Sequence, residues 1–351
     1  MRLLACLILL LASPSPLLAK EIRLTEQFID GDAARDQQDI GSCHAYAAVA
    51  LLETGIYRQH GRKLALSELD LFSRAKVLQP TYYTATQGNL SEGNRVTDDL
   101  NLALKEGVAT QATVPSDWAK ARYKKYRDRD KAVLQALKDQ DSQDGWLVTA
   151  ADYVWNLGGG WAEEQAKPEH RRSAERYLTG DPKVVGLERA KVRELMKDFT
   201  VESQEYPDRH APLIEWFDAA TEAGKKLAAD PAATLAKIEL AADPAWRKDC
   251  LARGADALAF IKKQLEARRP VAASLFLHGF KEWGDIGSNG SHAVVIYGMD
   301  LVPKNEDQYK EPGTVFFVRN SWGEAGWVFL HDYEACRIYS TASVKVPKDA
   351  K

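Results

Sequence analysis

The sequence predicts an α+β protein in which a helix-rich N-terminal part packs against a strand-rich C-terminal part. Residues 45–57, AYAAVALLETGIY, are apolar on nearly every face of a helix, which is typical of a helix buried at the centre of a domain. Near the C-terminus, short runs rich in β-branched and aromatic residues are bounded by Pro, Gly and polar loops, as strands are. These runs cover residues 268–277, 292–301 and 314–322.

Length and composition limit the class of protein. The chain has 351 residues, of which 45% are hydrophobic and 28% charged, and its formal net charge is −3. This balance is ordinary for a soluble globular protein and argues against a nucleic-acid-binding function. Because one hydrophobic core usually stops growing at roughly 250 to 300 residues, we expect either a large domain or a domain with a substantial insertion.

The first residues have the organisation of a secretory signal peptide. Arg2 supplies an early positive charge, and an apolar run from Leu3 to Ala12 is followed by a break that contains proline. We expect cleavage after Ala19, so that 1–19 is the signal peptide and the mature protein is periplasmic or secreted. The apolar run is too short to span a membrane and no later run reaches its length, so we expect no membrane anchor.

Export changes how the cysteines are interpreted. Cys43, Cys250 and Cys336 remain after cleavage, and an odd number in an oxidising compartment suggests one pair and one free thiol. The economical assignment pairs Cys250 with Cys336 and leaves Cys43 free. The alternative, in which both distal cysteines are buried and unpaired, stays open at this point.

The chain divides into three parts after the signal peptide. Residues 20–113 are predicted to form a helical lobe, in which a second helix begins at a capping Thr97 and ends at Gly107. Residues 114–250 are rich in charge and helix formers and are interrupted by turns such as LGGGW and TGDPK, which predicts a helical insertion. Residues 251–351 form the predicted β-rich lobe.

One basic run inside the insertion, KARYKKYRDRDK, contains interleaved tyrosines, as some nucleic-acid-binding patches do. Acidic residues interrupt this run and the whole chain is slightly acidic, so a solvated helix face explains it better. We therefore expect no nucleic-acid partner.

Cys43 stands where the buried helix should begin, directly after Gly41 and Ser42. The unpaired amides and the positive end of the helix dipole at that position stabilise a thiolate, which is the form of cysteine that acts as a nucleophile. A free cysteine on an apolar helix is, however, more often a small buried hydrophobe. The position alone leaves both interpretations open.

A general base for Cys43 must come from elsewhere in the chain, because the side chain of His44 points about 100° away on a helix. Among seven histidines, His292 stands at the start of a strongly apolar strand, GSHAVVIYG. The histidines have no metal-ligand spacing, and cysteines are few, so we expect no metal and no cofactor.

Three further residues could complete such a site. The amide of Asn320 could orient the imidazole without adding charge, and the indole of Trp322 could shield that hydrogen bond from water. Gln37 could donate to an acyl oxyanion together with the backbone amide of Cys43. Each signal is weak when taken alone.

Taken together, these segments resemble the papain-like cysteine peptidases. RDQQDIGSCHAYA (35–47) is similar to the family signature Q-G-x-C-G-S-C-W-A-F, SHAVVIYGMD to N-H-A-V-x-x-V-G-Y, and FFVRNSWGEAGW to W-x-x-K-N-S-W-G. The resemblance implies the following catalytic set: Cys43 as nucleophile, Gln37 as oxyanion donor, His292 as base and Asn320 as orienter.

The resemblance also implies a fold and an activity. The family fold has a helical lobe and a β-barrel-like lobe with a cleft between them, and the family hydrolyses peptide bonds of peptide or protein substrates through an acyl-enzyme. SEGNRVTDDLNLALKEGVA (91–109) is similar to the family segment that pairs with substrate backbone, which implies Gly93 as a substrate-binding residue. Ser291 and Trp322 are placed on the substrate side by the same resemblance.

The departures from the family pattern leave alternatives open. His44 stands where the family has tryptophan, Ile40 replaces a cysteine of a disulfide near the active site, and residues 20–42 are too few for a long pro-segment. A bacterial-type peptidase is the main interpretation. One alternative is an enzyme for a restricted amide, such as a deamidase, transpeptidase or dedicated processing enzyme, and another is a catalytically silent binding protein. The insertion 114–250 is a candidate for partner binding or gating.

Overall fold

The computed structural model describes residues 21–31, 33, 35–37, 41–77, 93–116, 176, 179–206, 244–276, 291–302, 313–323 and 329–350. The α-helices that follow are α1 (Cys43–His60), α2 (Glu68–Phe72), α3 (Val96–Glu106), α4 (Pro182–Leu195) and α5 (Pro244–Glu266). The strands are β1 (Ile22–Arg23), β2 (Thr200–Glu205), β3 (Val271–Phe276), β4 (Ser291–Val302), β5 (Gly313–Arg319), β6 (Phe329–His331) and β7 (Ile338–Lys345). A π-helical turn, Ser73–Val77, continues α2.

The strands form one antiparallel sheet in the order β2-β7-β3-β4-β5-β6, and β1 pairs with β4. Helix α1 lies against this sheet, so apolar side chains of the helix and of the strands share one core. The prediction of an α+β fold is confirmed, and β3, β4 and β5 confirm the three predicted strands. The division into two papain-like lobes with a cleft stays a prediction.

Helix α1 has the buried character that its sequence predicts. Every residue from Cys43 to Ile56 is buried. The helix ends at Gly61, which adopts a left-handed conformation with φ 67° and donates its amide to the carbonyl of Tyr57 at 2.7 Å. Glycine suits this position because a side chain there would be strained.

Helix α3 differs in detail from its prediction. It begins at Val96, and Arg95 rather than Thr97 is its N-cap, so the expected threonine cap is wrong. The glycine stop at Gly107 is confirmed. Gly107 has φ 82°, and an added Cβ would meet the carbonyl oxygen of Arg189 at 2.0 Å, so this position requires glycine for both conformation and space.

Part of the range predicted as a helical insertion belongs to the main structure. Strand β2, with the sequence TVESQE, pairs along its whole length with β7 and is therefore an edge of the sheet. Its polar, half-exposed side chains explain why the sequence did not indicate a strand there. Helix α5 also runs through the predicted boundary at 250 and 251.

Several predictions fall outside the described residues. These are the signal peptide 1–19, Ile40, and the parts of the insertion at 117–175, 177–178 and 207–243. Within the described part of the chain, no helix is long and apolar enough to cross a membrane.

Helix α4 is held on the N-terminal helices by a buried ion cluster. The carboxylate of Asp70 on α2 is fully buried and accepts hydrogen bonds from Arg189 at 3.0 Å and from the amide of Ala109 at 2.8 Å. Arg74 also pairs with Asp70, at 3.4 Å, and donates to the carbonyl of Gly107 at 2.6 Å. Charged side chains buried in this way are costly unless they are paired, and here each charge has a partner.

The distal cysteines form a disulfide. Cys250 on α5 is bonded to Cys336, and the Cα atoms are 4.8 Å apart. Cys43 is the free cysteine among the described residues, and it is buried. The pairing that the sequence favoured is confirmed, and the bridge fastens α5 to the turn that precedes β7.

We expect the Cys250→Ala/Cys336→Ala double variant to be less stable than the wild type by about 4 kcal/mol, because the bridge closes a long loop in the unfolded chain. The two cysteines are separated by 86 positions in the sequence. Urea denaturation measures the free energy of unfolding. Added reductant is the control: it should destabilise the wild type and leave the double variant unchanged. Equal unfolding free energies for wild type and variant would contradict the prediction.

We expect Asp70→Asn to lower the free energy of unfolding by about 3 kcal/mol, since it removes the buried carboxylate that pairs with both Arg74 and Arg189. The matched control is Glu194→Gln, which removes the exposed ion pair with Lys197 and should leave stability unchanged. Chemical denaturation of both variants checks the prediction, and equal behaviour of the two would refute it.

Candidate active site

The sulfur of Cys43 lies where the start of α1 meets the start of β4. Cys43 is the first residue of α1 and its side chain is 8% exposed. The backbone amides of Ala293, His44 and Cys43 itself lie against the sulfur and favour its thiolate form. Two of these amides belong to the helix N-terminus and the third belongs to the residue after His292, so the thiol lies in a cluster of backbone donors.

His292 is held by Asn320 and covered by Trp322. The imidazole Nε2 donates to the side-chain oxygen of Asn320 at 2.7 Å, and both residues are buried. The indole of Trp322 stacks on the imidazole with 4.3 Å between ring centroids and 25° between planes. The orienting amide and the shielding indole that the sequence predicts are therefore placed on His292, and the roles of these residues stay predictions.

The pairing of β4 with β5 brings these residues together. His292 is the second residue of β4, and Asn320 directly follows β5. The register pairs Val295 with Arg319, so the start of one strand lies beside the end of the other. The oxygen of Asn320 also accepts the amide of Ser321 at 2.7 Å, which fixes the direction of the side chain.

Gln37 is fixed beside the same loop. Its amide donates to the carbonyl of Ser321 at 2.7 Å, and its side-chain oxygen accepts a hydrogen bond from the Ser321 hydroxyl. The backbone of Asp36 forms an isolated antiparallel β-bridge with that of Trp322. Because the oxygen end of the Gln37 side chain is held by Ser321, its NH₂ group is the end that can donate to a substrate.

The two other predicted substrate-side residues are exposed. Gly93 is exposed and precedes α3. Ser291 is exposed and is the first residue of β4, next to His292, and its side chain hydrogen-bonds Tyr339.

Burial controls the protonation of the two central groups. It raises the pKa of the Cys43 thiol to about 11, while the surrounding backbone amides oppose this shift. Burial also lowers the pKa of His292 to about 4, against the effect of its hydrogen bond to Asn320. Both shifts favour a thiol beside a neutral imidazole, so the burial of these two groups gives no support to a preformed ion pair of thiolate and imidazolium.

A polar cluster lies behind Asn320. A small pocket of about 20 Å³ is lined by Asn320 and by Arg35, Glu53 and Glu68, among others. Arg35 pairs with both glutamates, and burial raises the pKa of Glu53 to about 7 while the charge of Arg35 opposes the shift. The side-chain nitrogen of Asn320 has no hydrogen-bond partner among the described residues.

The structure adds two residues that sequence reasoning did not find. Asp99 accepts a hydrogen bond from the ring of His44 and another from Asn94, whose nitrogen lies 2.7 Å from its carboxylate. The buried residues of α3 are Val96, Asp99, Leu100 and Ala103, so the sequence signal was an acid on the apolar stripe of a helix.

Among the residues that the structure describes, no group of three or more potential ligands could hold a metal ion.

No family model and no curated protein sequence matches this chain. Similar solved structures include digestive procathepsin L 3 of Tenebrio molitor larval midgut, 11% identical with a TM-score of 0.44 over 95% of this chain and 72% of that chain. Xylellain, a cysteine protease from Xylella fastidiosa, is 14% identical with a TM-score of 0.44 over 94% and 87%. SERA5E from Plasmodium falciparum is 12% identical with a TM-score of 0.43 over 92% and 93%. At these values the likeness is too weak to assign a function.

We expect the rate of Cys43 alkylation by iodoacetamide to be low at pH 7 and still to rise above pH 9. Burial raises the pKa of this thiol to about 11, and the thiolate is the form that reacts. Mass spectrometry of timed samples gives the rate, and Cys43→Ala corrects for labelling elsewhere. A rate that has already reached its plateau at pH 7 would contradict the neutral thiol and establish the ion pair.

Proposed function

We propose that the protein is a papain-like cysteine peptidase that hydrolyses peptide bonds through an acyl-enzyme on Cys43. One observation carries the proposal: the Nε2 of His292 is bound to Asn320 under Trp322, and the sulfur of Cys43 lies against the amide of Ala293, the residue next to that histidine. A nucleophile, a base and a group that orients the base are thereby supplied by three separate elements.

The proposed first step begins from the neutral pair. Because Nε2 of His292 is bound to Asn320, Nδ1 is the nitrogen that receives the thiol proton as the sulfur attacks a peptide carbonyl. The amide of Cys43 and the NH₂ group of Gln37 donate to the oxyanion that forms. The protonated His292 is stabilised by the oxygen of Asn320, since that hydrogen bond raises its pKa.

The remaining steps return the site to its starting state. His292 gives its proton to the leaving amine, and the carbonyl carbon stays bonded to sulfur as a thioester. The imidazole then takes a proton from water, whose oxygen attacks the thioester and releases the acid. The thiol is restored when the sulfur leaves and takes the proton back from His292. No metal or cofactor takes part in this proposal.

The substrate in this proposal is a peptide or protein chain. Gly93, Ser291 and Trp322 are the residues proposed to contact it, and the exposed Gly93 is suited to main-chain hydrogen bonds. We further propose that the enzyme acts outside the cytoplasm after removal of residues 1–19, without a membrane anchor and without a nucleic-acid partner. A gating or partner-binding role for 114–250 belongs to the same proposal.

The burial of the nucleophile favours one alternative within the same chemistry. Cys43 is only 8% exposed and His292 only 4%. A thiol so enclosed suits an enzyme for one restricted amide, such as a deamidase, a transpeptidase or a dedicated processing enzyme. Labelling of Cys43 by a peptidyl epoxide without digestion of unfolded casein would favour this alternative.

We expect Cys43→Ala to abolish hydrolysis of a peptide library, because no other group in the proposed site can form the acyl-enzyme. We expect His292→Ala to lower kcat by at least about a thousandfold through loss of the base. His60→Ala is the matched control, since His60 is exposed and its ring binds the carbonyl of Leu195 far along the chain.

Mass spectrometry of the cleaved library reports activity and subsite preference together. Full activity of Cys43→Ala would refute the proposal. A wild-type protein that neither cleaves peptides nor reacts with the epoxide would indicate a silent binding protein.

A further inference from the structure

A chain of polar side chains lies beside Cys43, and the proposed mechanism does not use it. The two oxygens of Asp99 accept hydrogen bonds from different partners, one from Nδ1 of His44 and the other from the side-chain nitrogen of Asn94 at 2.7 Å. Asp99 and His44 are both 0% exposed. The ring of His44 also packs against Phe72, with 5.7 Å between ring centroids.

The chain joins two parts of the backbone that flank the nucleophile. His44 is the residue after Cys43, and its amide is one of the donors to the sulfur. Asn94 is the residue after Gly93, shortly before α3, and its neighbours Gly93 and Arg95 are exposed. At Arg95 this segment is extended, with φ −83° and ψ 134°, which is the conformation that pairs with an extended peptide.

Burying the polar groups of Asp99 and His44 costs desolvation free energy, which apolar packing between the two helices would not cost. An apolar pair of the same volume would fill the space between α1 and α3 without desolvating a carboxylate. The hydrogen-bonded chain instead allows essentially one arrangement, because each oxygen of Asp99 must meet its own donor. The buried carboxylate of Asp99 therefore fixes the geometry between the first turn of α1 and the segment that contains Asn94.

We propose that Asp99 is a positioning residue that sets the spacing between the amides around the Cys43 sulfur and the segment Gly93–Arg95. Through His44 it holds the first turn of α1, and through Asn94 it holds the exposed segment. The spacing determines how an extended peptide bound along Gly93–Arg95 places its carbonyl at the sulfur. This inference rests on the proposed peptidase function.

The first test is Asn94→Ala, which removes one donor and leaves the pairing of Asp99 with His44 in place. We expect KM to rise about tenfold for peptides with three or more residues before the scissile bond, as for loss of one hydrogen bond to a charged group, with kcat within about twofold. Single-residue amide substrates, which do not reach Gly93, should show no change. Asn101→Ala, an exposed substitution on α3, is the matched control.

The second test is Asp99→Asn, with the exposed neighbour Asp98→Asn as its control. The carboxylate of Asp99 on α3 and the phenol of Tyr339 on β7 interact electrostatically with the Cys43 thiol, and the imidazole of His292 on β4 is the group that the proposed mechanism places beside it. Burial raises the pKa of the Cys43 thiol, and the negative charge of Asp99 raises it further. Asp99→Asn should therefore move the midpoint of Cys43 alkylation to lower pH, and Asp98→Asn should not.

Each outcome decides the inference. An unchanged KM for long peptides in Asn94→Ala, or an unchanged alkylation midpoint in a folded Asp99→Asn, would overturn it. If the wild type cleaves no peptide, the proposed function is wrong. Amide hydrogen exchange then tests the positioning role of Asp99 independently of activity. Exchange at Gly93–Arg95 that is faster in Asn94→Ala than in Asn101→Ala supports the role, and equal exchange overturns it.

Discussion

The contact between the start of α1 and the start of β4 determines the geometry of the candidate site. The amide of Ala293 lies against the sulfur of Cys43, so the nucleophile and the strand that carries His292 meet at the same point. Strand β4 lies between β3 and β5, and its register with β5 places Asn320 at the same end of the sheet. A sheet held on both sides of β4 is rigid, which suits a site whose groups must keep their spacing.

The segment that precedes α1 closes the site from the other side. Gln37 is bound through its backbone and its side chain to Ser321, and the amide of Gly323 donates to the carbonyl of Arg35 at 3.2 Å. Arg35 then reaches the buried carboxylates of Glu53 on α1 and Glu68 on α2. The proposed oxyanion donor and the loop of Asn320 are thus both held next to Arg35, which pairs with these buried carboxylates.

The sequence predicts those parts of the fold and site whose signals are local. The apolar residues of α1 and the β-branched runs of β3, β4 and β5 have a periodicity that depends only on burial, and Cys43, His292 and Asn320 stand in short segments that resemble family motifs. Strand β2 gives no such signal because TVESQE is a polar edge strand. Asp99 was equally hidden, since acids are common in the first turn of any helix, and Asp98 beside it is exposed. Only packing distinguishes the two.

The protonation states of Cys43 and His292 could not be predicted either, because they also depend on packing. The sequence places Cys43 at a helix N-terminus, which lowers a thiol pKa, but it does not report how much water the folded site excludes. In the structure, exclusion of water dominates at both Cys43 and His292, and the neutral pair is favoured. Charge should then develop only when a substrate carbonyl receives the sulfur's electrons and the oxyanion meets its donors. A site of this kind would keep its thiol unreactive toward small oxidants and alkylating agents and would couple activation of the nucleophile to binding of the correct chain.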